Sequence, residues 1–232
     1  MQVTTVGLDL AKHIFQVHAV DAAGHVVARK RLRRTEVLAF FVGLRPWLIG
    51  MEACATAHHW ARELTRLGHT IKLMPPAYVK AYVKRGKTDA ADAEAICEAV
   101  TRPSMRFVPA KSAEQQSVLM LHRVRALLIR QRTMLINALR GHPAEFGIVV
   151  AQGASRIREL IAILTDESAD APLPPLARRA LAPLVEHLLD LQPRIQALEA
   201  ELLAWHRQSQ ESRRLETIPG TGFITATAMQ RP

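Results

Sequence analysis

The hydrophobic pattern changes its period about halfway along the chain. In the first hundred residues, short apolar runs alternate with turn signals and amphipathic stretches. Residues 2–10, ending in V-G-L-D-L, read as a buried strand. Residues 14–20 alternate, with Ile14, Gln16 and His18 on one face and Phe15, Val17 and Ala19 on the other, which predicts a second strand. D-A-A-G at 21–24 is a turn, and residues 25–32 return as a third strand. Thr35 predicts the cap of a helix reaching residue 44. Residues 47–53 predict a strand, 56–67 an amphipathic helix closed by Gly68, and 69–74 a strand ended by Pro75 and Pro76. Short helices follow, the second carrying K-T-D-A-A-D-A-E-A-I. A hairpin followed by alternating helices and strands predicts an α/β unit, a mixed sheet flanked by helices, over residues 1–105.

Beyond Pro103 and Pro109 the pattern becomes helical. Ser112 and Gln115 have the spacing of a capping box. A long helix is predicted from there to about residue 141, with Val118, Leu121, Val124, Leu128, Leu135 and Leu139 on its apolar face and Arg123, Arg125, Arg130, Arg132 and Arg140 interleaved. A shorter helix covers 155–164, a Pro-rich loop 170–175, and a second long helical zone 177–214. That zone carries Leu181, Leu184, Leu188, Leu191, Ile195, Leu198 and Leu202 in a 3-4 stripe. Residues 106–215 are therefore predicted as an all-α region, either a coiled coil (antiparallel or between chains) or a small bundle. Residues 216–232 contain I-P-G-T-G, a turn resembling a helix-hairpin-helix, where Gly220 and Gly222 let backbone N–H groups approach a phosphate. A further domain is expected to begin in this segment and to be cut off at 232.

Composition narrows the partners. The net charge is +10 and the pI about 10.4, which points to a polyanion. Residues 1–100 carry 14 Lys and Arg against 9 Asp and Glu, residues 101–147 carry 8 against 2, and residues 148–232 carry 9 against 10. Nucleic acid is thus expected on the first 147 residues. Only 5% of residues are aromatic, which argues against a base-stacking single-strand binder. Two cysteines, Cys54 and Cys97, are too few for a disulfide framework and suggest a reducing, cytoplasmic setting. Asp9, Lys12 and His13 interrupt the apolar start, so no signal peptide is expected, and no apolar run is long enough for a membrane span.

Four acids carry the chemistry. Asp9 and Glu52 sit in apolar strand-like runs, where an isolated ionised carboxylate is costly. Asp89 and Asp92, three apart, share one face of a helix. If the two strands are neighbours, the helix closes a four-acid cup. A divalent cation makes such a cup tolerable, and Mg2+ (or Mn2+) prefers oxygen ligands and keeps room for a phosphate. Lys84, Arg85 and Lys87, and with less weight Lys12, are candidates to hold a phosphate backbone. Glu94 and Glu98 read as the solvent side of the helix. His58, His59, His69 and His13 lack zinc-motif spacing and read as helix-surface histidines. Cys54 has no evident partner that would make it a nucleophile.

V-G-L-D-L-A-K, G-M-E-A, M-P-P-A-Y-V-K and K-T-D-A-A-D-A-E-A-I resemble the N-terminal domain of DEDD-type insertion-sequence transposases, the family described as bridge-RNA-guided recombinases. L-H-R-V-R and R-Q-R-T-M-L-I-N-A-L-R-G-H are similar to its central region, and I-P-G-T-G-F-I-T-A-T-A to the start of its C-terminal domain. The resemblance implies a RuvC-like, ribonuclease-H-type fold with magnesium at Asp9, Glu52, Asp89 and Asp92. It implies DNA and a structured guide RNA as partners, and a homodimer or tetramer assembled through the long helices. It also implies a serine nucleophile in a later domain, before which this chain is expected to stop. Two other activities are carried alongside: a catalytically silent nucleic-acid-binding or dominant-negative protein, and a nuclease resembling a junction resolvase.

Overall fold

The computed structural model describes residues 2–83, 88–168 and 172–229, and divides into two compact units, residues 1–115 and 116–231. In the first unit, β1 (Thr5–Asp9), β2 (Ile14–Val20) and β3 (Val26–Arg33) form an antiparallel meander. β4 (Leu48–Glu52) and β5 (Thr70–Met74) extend the sheet in parallel from β1. The order is β3-β2-β1-β4-β5, a mixed sheet of the ribonuclease-H-like kind. Helices α1 (Val37–Phe41) and α2 (Ala57–Arg66) supply one layer. Phe15, Val17, Leu8, Ile49, Phe41, Trp60 and Leu64 are buried between that layer and the sheet. This is the apolar half of the alternation in β2. After α3 (Pro76–Val79), helix α4 (Asp89–Ala99) covers the opposite face, where Ile96, Ala99 and Val100 pack with Met74 and Val79.

Two glycines set how closely α4 approaches. A Cβ on Gly7 would lie 2.1 Å from the Ala93 carbonyl oxygen and 2.5 Å from the Cys97 nitrogen. A Cβ on Gly50 would lie 2.8 Å from Val100 Cβ. Gly7 and Gly50 are register partners on the neighbouring strands β1 and β4. Together they leave a smooth saddle on which the Ala-rich α4 sits backbone to backbone.

The second unit is helical. Helix α5 (Ala113–Ala144) opens with the predicted capping box: Ser112 N–H donates to Gln115 Oε1 at 2.9 Å, and Gln115 N–H donates to Ser112 Oγ at 3.1 Å. α6 (Ala154–Thr165) and α7 (Pro175–Gln208) follow, with Leu139, Leu160, Leu173, Leu181 and Leu188 in one core cluster. α5 and α7 run antiparallel, bridged by Arg125–Glu199 at 2.6 Å and Arg132–Gln192 at 2.8 Å. α8 (Gln210–Glu216) and α9 (Phe223–Ala228) close the chain around α7.

Three local expectations need correction. Thr35 does not cap a helix: a 3-10 turn spans Arg34–Glu36 and the Glu36 carboxylate accepts the Arg33 N–H at 2.8 Å, so α1 starts two residues later. The second helical zone breaks at Ser209, whose hydroxyl accepts the Ser212 N–H at 3.2 Å and caps α8. Pro175 is the first residue of α7 rather than loop, because proline's fixed φ suits a first helical turn.

Candidate metal centre

Asp9 is the last residue of β1, and its register partner across the hairpin is Gln16. Glu52 ends β4. On a strand, alternate residues share a face, so Asp9 lies on the face of Gly7 and Glu52 on the face of Gly50. That is the face covered by α4. Thr88 caps α4, its hydroxyl accepting the Ala91 N–H at 3.2 Å, which places Asp89 and Asp92 in the first turn. A helix N-terminus carries partial positive charge and tolerates acids. The saddle at Gly7 and Gly50 then brings this turn down onto the end of β1.

The result is convergence. One carboxylate oxygen from each of Asp9, Asp89 and Asp92 lies within 4.8 Å of the other two. Asp89 is exposed and the other two are half-buried. Burial, followed by the charges of Asp92, Asp89 and Glu52, pushes the Asp9 carboxyl up from 3.8 to about 6. Glu52 therefore acts on Asp9 as the weakest of three like charges and stands outside the tight trio. Hard oxygen donors of one sign, gathered without a cation among the described residues of the trio, are a donor set that fits a divalent metal.

The other candidates are scattered. Lys12 is exposed in the turn between β1 and β2, beside the Asp9 end of the sheet. Lys84, Arg85 and Lys87 lie outside the described residues. Arg123 and Arg130 are exposed on α5, and Gly220 (φ +82°) and Gly222 form the turn that leads into α9. Glu94 and Glu98 are half-buried rather than on an open solvent face, pairing with Arg29 at 3.4 Å and with Arg102 at 2.5 Å. His69 is a core residue, not a surface one. Its Nδ1 accepts the Trp47 N–H at 3.2 Å and its Nε2 lies 3.2 Å from the Phe41 carbonyl. His58 Nδ1 accepts the Lys111 N–H at 3.1 Å. Cys54 has its thiol pKa raised by burial and by Glu52 and Asp9, the opposite of an activated nucleophile.

The family model for DEDD transposases of the IS110 group, described as a transposase, matches residues 6–146, from within β1 through α5. The chain belongs to this family of insertion-sequence transposases. Relatives agree with this chain along nearly its whole length. A Pseudomonas aeruginosa protein named probable family 20 transposase is 48% identical over 231 residues, covering 99% of this chain and 68% of that protein. The transposase for insertion sequence element IS1328 of Yersinia enterocolitica is 39% identical over 227 residues, 98% of this chain and 67% of that protein. The transposase for insertion sequence element IS1111A of Coxiella burnetii is 39% identical over 224 residues, 96% and 61%. The chain thus spans about three fifths to two thirds of the length of these relatives.

Gly7 and Gly50 were not among the residues that the sequence pattern singled out. The signal was present as G-x-D in β1 and G-x-E in β4. A glycine two residues before each acid, on the same strand face, marks where a helix backbone presses against the sheet.

Proposed function

We propose that the first unit is the metal-dependent phosphodiester centre of an insertion-sequence transposase. The observation that carries this reading is the convergence of Asp9, Asp89 and Asp92, with the Asp9 carboxyl pushed up by burial and then by its acidic neighbours. Asp9, Asp89 and Asp92 would hold the cation, with Glu52 at the rim. Mg2+ or Mn2+ there would stabilise charge on a reacting phosphate and lower the pKa of a bound water or hydroxyl. The chain's own part is positional. The sheet fixes Asp9 and Glu52, the capped turn of α4 fixes Asp89 and Asp92, and the glycine saddle keeps the two within reach of one ion.

DNA is the substrate class in this reading, and a structured guide RNA the second nucleic acid. Family membership and the net charge of +10 support both. Association of copies through the long helices is part of the same reading. Met120, Val124, Leu127 and Met134 are exposed on α5 at three-, four- and seven-residue spacings, an apolar row of the kind helices bury against one another.

The test is branched duplex DNA incubated with Mg2+ or Mn2+. Wild type is expected to cleave or join strands only with the divalent ion, and Asp92→Asn to lose the activity. Turnover that persists in a chelator, or in Asp92→Asn, would overturn the reading.

A further inference from the structure

Strand β3 carries four cations, Arg29, Lys30, Arg31 and Arg33, in V-V-A-R-K-R-L-R. The register decides which face each one takes. Arg29 pairs with His18, Arg31 with Gln16 and Arg33 with Ile14. In turn His18 pairs with Gly7 and Gln16 with Asp9. Directly opposed residues share a sheet face. Arg29, Arg31 and Arg33 therefore stand on the face of Asp9, and Asp9, Gln16 and Arg31 form one line across three strands. Lys30 takes the other face, its ammonium 5.1 Å from the Phe40 ring centre.

A groove of about 210 Å3 runs between this row and α4, lined by Gln16, His18, Arg29, Arg31, Ala90 and Ala93. Ala90 follows Asp89 directly, so the groove ends beside the acidic trio. Alanines on the α4 wall keep it open. Arg29 is engaged by Glu94 at 3.4 Å, whereas among the described residues Arg31 and Arg33 enter no ion pair. All three arginines are exposed. Successive residues on one strand face are roughly 6.6 Å apart, comparable to the step between adjacent phosphates of one nucleic-acid strand.

We infer that Arg29, Arg31 and Arg33 form a phosphate track along which one nucleic-acid strand is led over Gln16 to the acidic trio. This rests on the metal-centre reading above and adds the path by which the backbone arrives. Positive charge on an edge strand also guards against unwanted strand pairing. That role is indifferent to face, yet three of the four cations here share the face of Asp9. Guanidinium groups suit the task because they grip phosphate oxygens in pairs.

The test uses the full chain and fluorescence anisotropy with labelled single-stranded DNA, duplex DNA and single-stranded RNA of equal length, across a salt series. Arg31→Ala/Arg33→Ala is compared with Arg179→Ala/Arg207→Ala, which removes equal charge from exposed positions of the second unit. The β3 double variant is expected to bind on the order of tenfold more weakly at 0.1 M salt. Its log–log salt slope should shrink by roughly 1.4 on single strands or 1.8 on duplex, as two lost phosphate contacts require. Arg31→Lys/Arg33→Lys should restore most of the slope, because slope counts charges. The arm with the largest loss names the strand type. Mn2+-dependent thermal stabilisation, measured in parallel, should be the same in every β3 variant. Equal affinity and slope in wild type and Arg31→Ala/Arg33→Ala would overturn the track while leaving the metal reading intact. Loss of the Mn2+ response in wild type itself would strike the metal reading, and the track with it.

Discussion

Two polar constellations, one in each unit, are built on opposite electrostatic plans. At the corner between α7 and α8, His206 is 4% exposed and Ser212 is fully buried. The imidazole Nδ1 lies 2.7 Å from Ser212 Oγ, and Nε2 lies 2.9 Å from the Glu216 carboxylate. Donor meets acceptor at each contact, so the cluster holds the corner and asks for nothing more. The acidic trio of the first unit gathers charges of one sign, and burial together with those charges raises the Asp9 carboxyl to about 6. A Ser-His-Glu set looks catalytic by composition, but its serine is sealed from any substrate. Residue by residue the trio looks ordinary, but its carboxylates crowd together in the fold. Unbalanced charge, rather than residue type, is what marks the trio as a candidate site.

Breaking the support of the trio should have the largest effect. Gly7→Ala sets a Cβ against the backbone of α4 and is expected to destabilise the first unit by about 3 kcal/mol or more. Urea denaturation followed by circular dichroism measures this, and the variant should also lose its Mn2+ response. A variant as stable as wild type would mean that α4 does not rest on the saddle.

Disturbing the balanced cluster comes next. Ser212→Ala removes the partner of a buried imidazole nitrogen and should cost about 1–3 kcal/mol. The Mn2+ response should not change, since nothing in the trio depends on that corner.

The smallest effect has the more telling sign. Asp9 titrates near 6 in the fold against 3.8 ordinarily, so the folded state holds the extra proton. The contribution of Asp9 to stability without metal should therefore be greatest below about pH 4 and fall as pH rises through about 6. Asp9→Asn removes that penalty. It should stabilise the metal-free protein at pH 7.5 by about 1 kcal/mol, after allowance for solvent screening of a half-exposed group. Thermal melts at pH 4.5 and 7.5 read the difference, and a wild type that gains stability between those values relative to Asp9→Asn would contradict it.

Much of the sheet was legible because period-two alternation leaves its mark: the predicted 14–20 strand matches β2 residue for residue. Asp9 and Glu52 were noticed as charges placed on apolar runs, and Asp89 and Asp92 by their three-residue spacing on a helix. What escaped was set by contacts between distant segments. Gly7 and Gly50 look like ordinary strand glycines until α4 is laid over them. The arginines of β3 look like a solvated edge until the register Asp9–Gln16–Arg31 aligns them. Ser209 hid inside the helical zone predicted over 177–214, beyond the end of its leucine stripe, where local capping starts a new helix.

Calorimetric titration of the metal-free chain with Mn2+ is the most direct measurement of whether the trio is a cation site. Wild type should bind at pH 7.5, bind several-fold more weakly at pH 5.0 where Asp9 is largely protonated, and lose the binding in Asp9→Asn. Binding that is unchanged by the substitution and by pH would show that the cation, if any, sits elsewhere, and the account of the acidic trio would fail.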